Sequence, residues 1–142
     1  MVIVKWNSSL ETGNKVVDDE HKEIFTLVEK MLDACTKGNF TSGKRKEEVE
    51  KALDFLTRYT ARHFVNEENL MDTSKYPERN THKVQHEKFL PIIDSLKKKA
   101  LAENGSLTSA MEINTALVDW LIQHIMGSDK KFADYYKSYQ KR

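Results

Sequence analysis

Along the chain, hydrophobic positions recur at alternating steps of four and three in four separate stretches, and no segment of useful length alternates with period two. The first stripe is His21, Phe25, Val28, Leu32 and Cys35, with Asp18 or Asp19 in position to cap it and Gly38-Asn39 to stop it. The second runs through Val49, Leu53, Leu56, Thr60, His63, Glu67 and Leu70, opened by Ser42-Gly43 and closed between Asp72 and Pro77. The third is His82, His86, Phe89, Ile93, Leu96 and Ala100, ending at Asn104-Gly105, with Pro91 inside it as an expected kink or weakened turn. The fourth, Ile113, Leu117, Trp120 and His124, starts within Ser106–Ser109 and reaches Gly127. Short connections between four such stripes predict an all-α fold, an antiparallel up-down-up-down four-helix bundle. Residues 1–17 carry no sustained period and read as an extended N-terminal arm, 18–127 as the bundle and 128–142 as a short C-terminal helical tail, all in one domain.

Composition narrows the function. With 23 Lys+Arg against 22 Asp+Glu, the net charge of +1 gives no electrostatic ground for nucleic acid or an anionic membrane as partner. The basic runs Lys44-Arg45-Lys46 and Lys97-Lys98-Lys99 are flanked by acids and read as solvated helix faces. A single cysteine, Cys35, excludes an internal disulfide and any Cys-rich metal site, and reads as packing. The apolar run at the start is too short for a signal peptide and no later stretch could span a bilayer, so the expected address is the cytoplasm. Near-neutral, highly charged faces read as those of a monomer.

The histidines change the picture. All 5 lie on the apolar seams of the four helices, where burial without partners would be costly. One such histidine is usually a hydrogen-bonded core residue; His21, His63, His82, His86 and His124 together point to a shared ligand. His63 and Glu67 are four apart, as are His82 and His86, so each pair can reach one point. His124 and Asp129 are five apart, a mismatch for an ideal α-helix that an ending or unwinding at Gly127-Ser128 would cure. Five imidazoles and two carboxylates exceed what one ion needs and fit two first-row ions sharing carboxylates, with iron, manganese and zinc all open on spacing alone. No histidine has a glutamate three residues before it, which excludes the ferritin-like di-metal pattern.

The motifs Val17-Asp18-Asp19-Glu20-His21, His63-Phe64-Val65-Asn66-Glu67, His82 with His86, and Trp120-Leu121 leading to His124 and Asp129, after an amino-terminal Trp6, resemble the hemerythrin family and its single-domain bacterial members, the bacteriohemerythrins. The resemblance covers nearly the whole chain. It implies two iron ions in an oxo- or hydroxo-bridged di-iron centre, with Glu67 and Asp129 bridging. His82, His86 and His124 would complete one iron. His21 and His63 would bind the other, leaving a position for dioxygen.

Around those positions, Ile24, Phe25, Phe64, Trp120, Leu121 and Ile125 are expected to line an apolar O2 pocket, with Phe64 beside the open iron. Such a lining excludes water and offers no general acid, which slows O–O cleavage and peroxide release. Trp6 is expected to fold over the bundle end, and Asp18 to hold a ligand imidazole from outside. Phe132 stands where the family often carries tyrosine, and neither Tyr135 nor Tyr136 is expected to replace that hydroxyl. The leading functional reading is a non-enzymatic carrier, store or delivery protein for oxygen, passing it to a protein recipient. Its alternatives are a di-iron oxidase or peroxidase-type enzyme and a stand-alone oxygen-sensing module.

Overall fold

The computed structural model describes residues 5–36, 42–103 and 106–142, and among these every regular element is helical. Four long helices form the bundle: α1 (Lys15–Thr36), α2 (Ser42–Thr73), α3 (Arg79–Ala102) and α4 (Leu107–His124); a last helix, α5, covers Lys130–Gln140. Helix α1 packs on α2 and α4, and α3 packs on the same two, so the four close into an antiparallel ring around one core. The buried seams follow the three-four rhythm, with Ile24, Phe25, Val28 and Leu32 facing Leu53, Leu56, Phe89, Ile93, Ile113 and Leu117. Among the described residues no helix is long and apolar enough to cross a membrane.

Helix α1 begins a turn earlier than the sequence suggests, and its cap is Asn14, whose Oδ1 accepts from Val17 N–H at 3.2 Å. Asp18 is occupied elsewhere: its carboxylate accepts from the Thr12 backbone N–H at 2.9 Å, the Thr12 hydroxyl at 2.7 Å and Gly13 N–H at 3.3 Å. This clasp holds the arm to the helix, and the arm is not wholly extended, because Ser8–Leu10 form a 3-10 turn that buries Leu10 in the core. Trp6 is half-buried against the same core, with the Lys22 ammonium 4.5 Å from its ring centre. Helix α3 continues through Pro91 to Ala102. Pro91 and Glu87, whose carbonyl loses its donor, are both exposed, so water can take the missing bond while Phe89 and Ile93 stay packed.

Helix α2 stops in a tight turn: Tyr76 N–H bonds to Met71 O at 2.9 Å and Lys75 N–H to Asp72 O at 3.2 Å, with Lys75 left-handed at φ 57°. The expected stops at Gly38-Asn39 and Asn104-Gly105 lie outside the described residues, as does the side chain of Cys35.

The largest difference from expectation lies after His124. The chain does not unwind at Gly127. It passes through one π-turn, Ile125–Asp129, and resumes as α5. Gly127 has a right-handed backbone with open space where a Cβ would sit, so the turn does not depend on glycine.

Candidate metal centre

Antiparallel packing places the early part of α1, the late part of α2, the early part of α3 and the end of α4 at one end of the bundle. Those are the segments that carry His21, His63 with Glu67, His82 with His86, and His124. All are buried, as is Asp129 beyond the π-turn. The π-turn also resolves the five-residue spacing. A bond from Lys130 N–H to Ile125 O marks the widened turn, which brings residues five apart onto one face. His124 Nε2 and an Asp129 oxygen consequently lie 3.0 Å apart.

The seven side chains form two groups that share both carboxylates. Glu67, His82, His86, His124 and Asp129 make one and His21, His63, Glu67 and Asp129 the other, with the donor atoms of each group within 4.8 Å of one another. In the first group Glu67 Oε1 lies 2.8 Å from His82 Nε2 and 3.1 Å from His86 Nε2, and Asp129 Oδ1 lies 3.0 Å from His82 Nε2. His124 Nε2 is 3.1 Å from the Nε2 atoms of both His82 and His86. Neighbouring corners of an octahedron with metal–ligand bonds of about 2.1 Å are separated by about 3.0 Å, so these spacings suit donors around a first-row ion. In the second group Asp129 Oδ2 is 2.9 Å from His21 Nε2, and Glu67 Oε2 is 3.8 Å from His63 Nε2.

Short as these approaches are, both oxygens of Glu67, both of Asp129 and His21 Nε2 make no well-formed hydrogen bond. Buried carboxylates without donors are costly, and a pair of cations is the partner this donor set fits. The protein's own electrostatics point the same way. Burial and the neighbouring Asp129 charge work to raise Glu67, yet His82 and His86 hold its carboxyl below the ordinary range. Burial also opposes the Asp129 charge, but His124, His21 and His82 hold it well below the usual value. Burial lowers His82, and the adjoining Asp129 and Glu67 more than reverse this, raising it to about 9. Burial dominates at His124, whose imidazole is lowered from its ordinary value although Asp129 lies beside it. Positive charge is thus favoured where the two carboxylates converge, the position cations would take.

An outer set of residues, missed in the sequence, holds the other nitrogen of three imidazoles. His63 Nδ1 donates to Glu20 at 3.0 Å, His86 Nδ1 to Glu68 at 3.0 Å and His124 Nδ1 to Gln85 at 2.8 Å. Each bond puts the proton on Nδ1 and leaves the Nε2 lone pair free for a metal. Asp18, the residue expected in this role, is absent from it because it clasps the arm. The Nδ1 atoms of His21 and His82 have no partner among the described residues.

Ile24, Phe25, Phe64, Leu121 and Ile125 are buried and Trp120 is half-buried. Phe64 differs from expectation in its neighbour: it stacks on His86 with centroids 3.8 Å apart and planes at 6°, while His63 is 6.0 Å away. Trp120 stacks in turn on His124 at 4.5 Å. Both rings therefore shield the three-histidine group. Thr60, one turn before His63, is buried, and its hydroxyl has no partner among the described residues. Phe132 is buried against Tyr76 and lies 6.4 Å from His82, and the Tyr135 hydroxyl donates to Ser74 O.

Comparisons with known proteins agree with this site. Residues 12–136 match the family described as the Hemerythrin HHE cation binding domain. The chain is 33% identical over 134 residues to a bacteriohemerythrin of Methylococcus capsulatus, covering 93% of this chain and 95% of that one. It is 33% identical over 127 residues to a myohemerythrin of Sipunculus nudus, covering 89% and 88%. A crystal structure of wild-type hemerythrin superposes with a TM-score of 0.78 at 29% identity, over 95% of this chain and 98% of the other. With a buried two-group donor cluster on the matching fold, the chain belongs to the hemerythrin family.

Proposed function

We propose that the chain binds dioxygen reversibly at a di-iron centre held by His21, His63, Glu67, His82, His86, His124 and Asp129, as an oxygen carrier, store or delivery protein and not as an enzyme. The observation that carries this reading is the unequal donor count: three imidazoles in one group and two in the other, around the same two carboxylates. The group with two imidazoles is the one with room for an outside ligand. A bound iron pair would supply the two electrons that hold O2 and take them back on release.

The protein's part is to orient donors and keep water and protons away. Glu20 fixes His63, and Glu68 and Gln85 fix His86 and His124, so the imidazoles need no rearrangement when metal or gas binds. Ile24, Phe25, Leu121 and Ile125, buried within about a turn of His21 and His124, donate no proton, and Phe64 and Trp120 cover His86 and His124. Without a general acid, irreversible breakdown of bound oxygen is slow. The working unit we propose is a monomer in the cytoplasm, acting as one domain and handing O2 to a protein recipient.

The test is an optical spectrum of the iron-loaded, anaerobically reduced protein before O2, under O2 and after O2 removal. A visible charge-transfer band that comes and goes with O2 is the expected result. A single irreversible change to the oxidised state, with a reductant consumed in steady turnover, would overturn the proposal in favour of an oxidase-type enzyme.

A further inference from the structure

The π-turn after α4 sets the distance between His124 and Asp129, yet its backbone has no glycine requirement and no proline to fix it. A pair of side chains ties it to the neighbouring helix. Gln85, on α3, accepts through Oε1 from His124 Nδ1–H at 2.8 Å and from the Ser128 hydroxyl at 2.6 Å. One oxygen thus grips a ligand at the end of α4 and a residue inside the turn, across the α3–α4 interface. Gln85 and Ser128 also stand between two surface pits, of about 310 and 300 Å³, which reach His82 on one side and His124 on the other. The matching positions behind His63 and His86 are carboxylates, Glu20 and Glu68, and neither of them is bonded to a turn.

We propose that Gln85 and Ser128 are a positioning pair: they lock the π-turn so that His124 and Asp129 present their donor atoms to the same metal. The inference rests on the metal-binding reading of the cluster and is independent of what the metals do with O2. Ser128 acts through Gln85, so the pair is one device. Its acceptor must be an oxygen, but that oxygen need not be neutral.

The experiment loads each protein with iron(II) under anaerobic conditions and follows its loss to an excess of a coloured iron(II) chelator. Gln85→Leu is expected to speed release about 10–100-fold, the usual cost of losing an outer partner of a metal-bound histidine. Ser128→Ala, a small change at a half-buried site, is expected to speed it about fivefold, the worth of one hydrogen bond. The double variant should release no faster than Gln85→Leu alone, because the serine has nothing left to act through. Gln85→Glu, which keeps the oxygen, should restore slow release. A second readout is solvent exchange of the His124 Nδ1 proton by NMR, expected to accelerate in Gln85→Leu and to stay slow in Gln85→Glu. Release at the wild-type rate in Gln85→Leu, multiplying effects in the double variant, or failure of Gln85→Glu to rescue would overturn the proposal. A wild-type protein that takes up no iron would overturn the metal-binding reading and this inference with it.

Discussion

The ring of Phe64 gives the most direct measure of how tightly the metal end of the bundle is packed. It is 4% exposed, stacks on His86 at 3.8 Å, and meets Phe89 and Trp120 at 5.9 and 6.0 Å. Truncating such a phenylalanine to alanine costs about 3–5 kcal/mol, lost transfer energy plus the cavity left behind. For 142 residues the unfolding entropy is about 0.3 kcal/mol per degree, so Phe64→Ala should lower Tm by about 10–17 °C. Phe64→Leu keeps most of the volume and loses mainly the ring stacking, worth about 1 kcal/mol or a fall of about 3–5 °C. The assay is thermal unfolding of the metal-free protein followed by far-UV circular dichroism, since bound iron would add its own stabilisation and mask the difference. In the iron-loaded protein the alanine variant should also lose its O2-reversible absorption sooner, because the space opened beside His86 admits water. A fall below about 3 °C for Phe64→Ala would refute the reasoning: the ring would then contribute under about 1 kcal/mol and could not be the packed cover of His86. Equal falls for Ala and Leu would refute the cavity argument while sparing the stacking one.

Lys75 holds a left-handed backbone at the end of α2 while its side chain is exposed, so Lys75→Gly should stabilise the protein by about 1 kcal/mol, read from the urea midpoint; a loss of stability would mean that the lysine side chain outweighs the backbone strain. Gly127→Ala should also stabilise, by up to about 1 kcal/mol, and leave iron stoichiometry unchanged, because the turn is right-handed there and nothing occupies the Cβ position; lost iron would show that the π-turn needs glycine after all. Without metal, stability should fall as pH rises from near 6.5 toward about 9, because His82, lowered by burial but raised further by Asp129 and Glu67, favours the fold only while protonated. His63, raised by Glu20 and Glu67 against its burial, adds to the same alkaline loss. Glu67 and Asp129, held low, contribute in the opposite direction, with stability lost as pH falls through the acid range. Iron loading should flatten the alkaline slope, since the imidazoles then bind metal as neutral ligands; urea midpoints across pH for both forms would check this, and equal slopes would refute it.

What the sequence made legible followed from periodicity. His21, His63, His82, His86 and His124 could be placed on core seams because a three-four rhythm fixes which residues face inward, and antiparallel packing then brings those seams to one end. The partners of those histidines were not legible in that way, since each depends on how neighbouring helices are rotated. Glu20 sits beside His21 on α1 and serves His63 on α2; Glu68 sits beside Glu67 on α2 and serves His86 on α3; Gln85 sits beside His86 on α3 and serves His124 on α4. A residue next to an inward-facing ligand lies about 100° around its helix, which turns it toward the adjoining helix. The rule is visible only once the order of the helices around the ring is known. It runs α1 to α2 to α3 to α4, and it stops there: His21 Nδ1, the next imidazole in that sequence, has no partner among the described residues. The residue that follows His124 is Ile125, which has no polar group to offer α1, and His21 meets the cluster through Nε2, 2.9 Å from Asp129 Oδ2. The spacing of His124 and Asp129, which looked like a mismatch in the sequence, is therefore what lets one carboxylate face both metal positions, its Oδ1 beside His124 and His82 and its Oδ2 beside His21.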